Sequence, residues 1–144
     1  MTYLIKDIAD HLKASPDIQN IFQGRVYPER APQKPTYPFL VISEISITPE
    51  ESLAGEIGTH RSIVEVAVWT DGSVRADANQ GSEAVRNRLS GFKGQLGDGV
   101  TCNGCHLERS NTIPAELFPS SDQYRRRVNM QFLVIHSADV PTFA

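Results

Sequence analysis

Cys102-Asn103-Gly104-Cys105-His106 is the one stretch of this 144-residue chain whose residue types and spacing could do chemistry. Two thiols three residues apart, followed directly by a histidine, form a C-x-x-C-H pattern. Such thiols can add to haem vinyl groups while the imidazole ligates the iron. The same three side chains could supply part of a zinc site, with a fourth ligand from His11, His60 or His136. A thioredoxin-like redox pair would instead need the cysteines to open a helix after a strand. Context weighs against all three. The stretch follows a glycine-rich segment and lies in a weak strand pattern. No second C-x-x-C and no H-x-x-x-H completes a metal set. Nothing at the N-terminus reads as the export signal that haem attachment outside the cytoplasm would require. The default reading is a tight Asn-Gly turn flanked by two small thiols. A cytoplasmic metal- or thiol-binding module using Cys102, Cys105 and His106 is the alternative function.

No G-x-x-x-x-G-K-[ST], G-x-S-x-G or H-E-x-x-H occurs, so neither catalytic residues nor a cofactor are expected. Gly91, Gly94, Gly97 and Gly99 lead towards a strand rather than a helix N-terminus; they read as a flexible connection, not a phosphate cradle. The net charge of −3 argues against an electrostatic nucleic-acid binder, though not against DNA passing by. Lys6, Asp7, Asp10 and His11 interrupt the N-terminal apolar pattern. The runs Phe39–Ile42 and Phe132–Ile135 are far too short to span a bilayer, so no membrane partner is expected. A single domain over residues 1–144, made in a reducing cytoplasm and with a frayed tail at 137–144, is the reading these features support.

The elements that must position any site follow from periodicity. Tyr3, Leu4, Ile8 and Leu12 predict a helix over Thr2 to Ala14. Ser15-Pro16 ends it, and Pro16 to Phe22 adds a short helical turn with Gly24 as its C-terminal cap. Arg25-Val26-Tyr27 is extended. Pro28, Pro32, Pro35 and Pro38 then make a stiff exposed loop, with Arg25, Glu29, Arg30 and Lys34 free for a partner. Phe39 to Ile47 is a strand, with Phe39, Val41, Ile45 and Ile47 opposite Leu40, Ile42 and Glu44. Thr48 to Thr59 reads as a mobile acidic loop. Arg61 to Thr70 is a strand, and Val74 to Ser90 a helix capped by Ser73. Gly81 lies on that helix's apolar stripe, which predicts a close approach there. Val100 to Ile113 is a weak strand, Pro114 to Asp122 a loop, and Tyr124 to His136 the clearest strand, with Val128, Met130, Phe132 and Val134 on one face.

The sum is an α+β domain: a mainly antiparallel sheet of four to five strands with two principal helices on one face. Its strands are apolar on both sides. The surfaces of Leu40, Ile42, Val64 to Val68, Leu133 and Ile135 need a second cover, supplied either by a neighbouring subunit or by the loops. Arg125-Arg126-Arg127 reads as a solvated strand start that discourages edge pairing, or else as a carboxylate or phosphate contact.

Gly24-Arg25-Val26-Tyr27-Pro28, Ala31-Pro32 and Pro38 to Ser43 resemble the tail-completion proteins of long-tailed bacteriophages, small head–tail joining proteins related in fold to tail terminators. Val66-Ala67-Val68-Trp69, the spaced alanines Ala76, Ala78 and Ala84, and the strand Val128 to Ile135 match the order of elements in that family; Cys102 to His106 does not belong to its pattern. The resemblance implies a non-enzymatic virion protein, assembled in the host cytoplasm and carried at the tail–head junction. It implies a ring, commonly hexameric, that completes the tail tube, meets the tail tube protein and the head connector, and lets DNA pass. On that footing Arg25, Arg30, Glu50, Glu51, Glu56, Arg125, Arg126 and Arg127 are the candidate partner and ring residues, with the three glutamates facing the lumen or the tube.

Overall fold

The computed structural model describes residues 4–33, 35–52, 55–71, 75–96, 100–117 and 124–137, with the backbone alone described at 51–52, 55–57, 75–78, 114–117 and 124–125. Among these residues three helices, α1 (Leu4–Lys13), α2 (Pro16–Phe22) and α3 (Arg75–Leu89), accompany six strands. The strands are β1 (Val26–Pro28), β2 (Phe39–Ser52), β3 (Gly55–Thr70), β4 (Gly94–Leu96), β5 (Val100–Leu117) and β6 (Tyr124–Ser137). They form a single sheet in the order β1-β2-β3-β6-β5-β4. The β1–β2 pair is parallel and every other pair antiparallel. The architecture is α+β, as expected. The expected four to five strands become six, because two three-residue strands flank the long ones, and the expected two helices become three.

The helices share one face of the sheet. Leu4, Ile8 and Leu12 of α1, Ile18 and Phe22 of α2, and Val85 and Leu89 of α3 join one core cluster with Leu40, Ile42, Val64, Val66, Val68, Val128, Met130, Phe132 and Val134. Strand alternation dictates this set: Leu40 opposes Val68 and Ile42 opposes Val66, while Val66 opposes Met130 and Val64 opposes Phe132. Leu40 and Ile42 are therefore 0% exposed within one chain. Their cover is therefore neither a neighbouring subunit nor the loops, the two expected alternatives, but the helices of the same chain. Leu133 and Ile135 lie on the opposite face, where they are only half-buried.

Local chemistry fixes the joints. Ser15 is extended, at φ −78 and ψ 128, because Pro16 follows it. The left-handed turn that ends α2 falls first on Gln23, at φ 52, and then on Gly24, at φ 80. Pro28 sits in an edge strand, where a missing N–H costs no ladder bond. The loop after it is mostly exposed, and Arg25 Nε donates to Pro38 O at 2.8 Å, tying its two ends together. Asp7 of α1 is buried and its Oδ2 accepts the Val100 N–H at 3.0 Å, which anchors the start of β5 to the first helix.

Gly81 confirms the expected close approach. A Cβ at that position would lie 2.9 Å from Phe22 Cζ and 3.0 Å from Val68 Cγ1. The Ser73 cap and Lys34 lie outside the described residues; of the tail expected at 137–144, Ser137 belongs to β6 and the rest lies outside them.

Three loop expectations are overturned. Residues 48–52 and 55–59 continue the β2–β3 ladder, with Thr48 opposite Arg61 and Ser52 opposite Gly55. Pro49 is tolerated because the β1 side of β2 is already free there, and a bulge follows it. The glycine segment after α3 contains β4. Residues 114–117 belong to β5, with Leu117 opposite Tyr124.

A further bulge between Glu44 and Ser46 shifts the phase of β2. Ile47 thus opposes Ser62 and joins the helix-side face, not the Phe39 face that strict alternation assigns. Ile45, in the bulge, is 52% exposed and Ile47 47%.

Candidate functional site

The sharpest sequence motif does not make a site. Cys102 to His106 is not a turn but part of β5, with a bulge at Asn103. In an unbroken strand, residues three apart point to opposite faces. The extra residue turns both thiols inward, Cys102 opposite His136 and Cys105 opposite Val134, each almost wholly buried. His106 opposes Leu133 on the other face and is exposed. The sheet itself thus separates the imidazole from the thiols. Burial raises the Cys102 thiol pKa, and burial together with the neighbouring Cys102 pushes Cys105 to about 12. Cys102 Sγ donates to Gly104 O at 3.3 Å. Both thiols sit in apolar surroundings, which disfavour the reactive thiolate. They line an enclosed apolar cavity of about 10 Å³ with Ile8, Phe92 and Phe132, too small for a ligand. Among the described residues no group of three or more histidine, cysteine or carboxylate side chains could hold a metal ion.

One polar cluster escaped the sequence reading. Ser62 Oγ and His136 Nε2 are 2.8 Å apart in the interior, and His136 Nδ1 lies 2.9 Å from Ser137 O. A carbonyl only accepts, so Nδ1 carries the proton and neutral Nε2 accepts from Ser62. The residues are 74 apart in sequence, and only the register, which sets His60 opposite His136, brings them together. A serine–histidine pair can be nucleophilic, but Ser62 is 0% exposed. The pair works in stability. Burial, chiefly, lowers the His136 pKa, with His60 adding to the effect. Burial and Arg88 lower that of His11. Groups held neutral when folded take up protons on unfolding, so this stabilisation is present above about pH 6.5 and is lost as pH falls below it. The urea midpoint should therefore drop between pH 7.5 and 5.5, and less steeply in His136→Asn. Equal slopes for the two proteins would contradict this reading.

The charged candidates sort by position. Arg25 is engaged with Pro38 O, whereas Arg30 is exposed on the proline loop. Glu50 Oε1 lies 3.7 Å from Arg61 Nε in an exposed pair of little energetic weight. Register places Glu51 directly opposite Glu56 near the hairpin end; their side chains, and that of Arg125, lie outside the described ones. Arg127 stacks over the Trp69 ring at 4.8 Å from its centroid, and Phe39 stacks with the same indole, 6.0 Å between ring centroids. Arg126 Nη1 and Arg127 Nε are buried without a hydrogen-bond partner among the described residues. Register therefore places Glu50, Glu51 and Glu56 towards one end of the β2–β3 ladder, and Arg126 and Arg127 at the other end of β3, on opposite faces of the sheet. No helix among the described residues is long and apolar enough to cross a membrane.

Comparison with known proteins bears on these surfaces. The family model described as "Tail completion protein gp17" matches residues 6–136. Among solved structures, a chain of the virion of a native gene transfer agent (GTA) particle shares this fold with a TM-score of 0.71. That alignment covers 95% of this chain and 100% of the other, at 17% identity. A search of curated proteins found no match.

Proposed function

Since the chain belongs to the tail completion protein gp17 family, we infer that it is a structural virion protein that completes the tail tube and joins it to the head. The family match across residues 6–136 carries this reading. The separation of His106 from the two thiols supports it, because the three side chains do not meet as one ligand set. In this reading the protein is made in the host cytoplasm and acts without catalysis. It forms a ring, hexameric on the tail, between the tail tube protein and the head connector, and DNA passes through it. A weakly acidic chain suits such a channel, because it does not trap a polyanion.

Deleting the gene from the phage or prophage that carries it should leave DNA-filled heads and separate tails in the lysate, seen by electron microscopy. Purified protein added to that lysate should restore joined particles. Normal particles from the deletion would overturn the reading.

A further inference from the structure

Among the described residues the β3–β6 ladder runs to Ser137, opposite Thr59. Past that point β2 and β3 stay paired with each other out to Ser52 and Gly55. Exposed Ile45 and Ile47 precede this stretch on β2. Its register also sets Glu51 against Glu56, an arrangement that like charges disfavour. Between Glu44 and Arg61 the chain holds four glutamates against one arginine.

The opposite end of the sheet has the complementary character. There Thr70 opposes Arg126 and Trp69 opposes Arg127, and Arg126 Nη1 and Arg127 Nε lack hydrogen-bond partners among the described residues. At the ordinary strand rise this end lies about 36 Å from Thr59 along β3, so the two cannot meet within one chain. Bulges on the free stretches of β2 and β5 disfavour simple continuation of the ladder between molecules. That leaves side-chain docking.

On the footing of the ring reading, we propose that the acidic β2–β3 arm of one copy docks on the Trp69–Arg126–Arg127 end of a second copy. Tryptophan and arginine are favoured as anchors of such contacts, and the isoleucines supply the apolar area. The contact joins different surfaces of the two copies, so its repetition closes a ring if the rotation allows.

A charge exchange tests it. Glu51→Arg/Glu56→Arg (arm variant) and Arg125→Glu/Arg127→Glu (end variant) are each measured by sedimentation and on purified tail tubes. Each variant alone should fold, by circular dichroism, and associate about a hundredfold more weakly than wild type. An equimolar mixture should assemble, because each arm then finds an end of opposite sign. Ile45→Asp, a change at an exposed side chain, should block assembly of an otherwise wild-type chain, and it tests the contact independently if the end variant fails to fold. If wild type assembles but Ile45→Asp or the separate charge variants assemble equally well, or the mixture restores nothing, the contact is wrong and the ring stands. A wild type that stays monomeric both in solution and on tail tubes overturns the ring and the contact together.

Discussion

Replacing Leu40 by alanine should cost about 2–5 kcal/mol of stability, and replacing Phe132 about 3–5 kcal/mol. Both side chains are 0% exposed. Leu40 sits between the helices and the β2–β3 ladder; Phe132 lies at the centre of β6, opposite Val64. Each truncation loses transfer energy and leaves a hole that a close-packed sheet cannot collapse to fill. Because the contacts lie within one chain, the loss should be the same at every protein concentration. Leu133→Ala, on the face away from the helices, should cost less than either, about 1 kcal/mol or under in the monomer. Denaturant titrations at two concentrations a hundredfold apart check all three. A Leu40→Ala penalty that changed with concentration would mean that Leu40 packs against another subunit after all.

That contrast between Leu40 and Leu133 marks how far the sequence can be read. The alternation in Tyr124 to His136 is clear, and the buried set Val128, Met130, Phe132 and Val134 is as periodicity predicts. What alternation within one strand cannot supply is which face of the next strand shares it. Apolar pattern alone assigns Leu40 and Leu133 to one uncovered surface, and pairing puts them on opposite faces. Bulges are the second source of error. One at Asn103 turns both cysteines inward, and one at Ile45 moves Ile47 to the other side. A bulge shifts phase without any composition signal, so a cysteine pair that resembles a metal motif is core. The acidic segment 48–59 misleads for a related reason. Its glycines and Pro49 are turn formers in isolation, yet a free strand side and a bulge accommodate them in a ladder. The site is legible in the sequence only as charge. Glutamates near 50 and arginines near 126 stand out there; their placement at opposite ends of one sheet requires the register.

Gly81 supplies the second large effect, and here local and tertiary preferences oppose each other. In an isolated helix, Gly81→Ala would gain about 1 kcal/mol. In this fold the new methyl meets Phe22 Cζ at 2.9 Å and Val68 Cγ1 at 3.0 Å. Neither neighbour can yield easily. Phe22 and Val68 are both 0% exposed, held between α2, α3 and the sheet. Overpacking of this kind costs about 1–3 kcal/mol, so packing outweighs propensity and the alanine variant should be less stable than wild type. Gly81→Leu should lose about 3 kcal/mol or more, which lowers the Tm of a chain this size by roughly 6–12 °C. The cause can be isolated by removing the obstacle. Phe22→Leu destabilises on its own by opening space, but in Phe22→Leu/Gly81→Ala the added methyl occupies part of that space. The double variant should then be more stable than the sum of the single losses predicts, with a coupling of about 0.5–3 kcal/mol. Additive losses would place the strain elsewhere. A Gly81→Ala variant that melted above wild type would show that α3 shifts to admit the methyl, and that helix propensity rather than contact with Phe22 governs the α2–α3 joint.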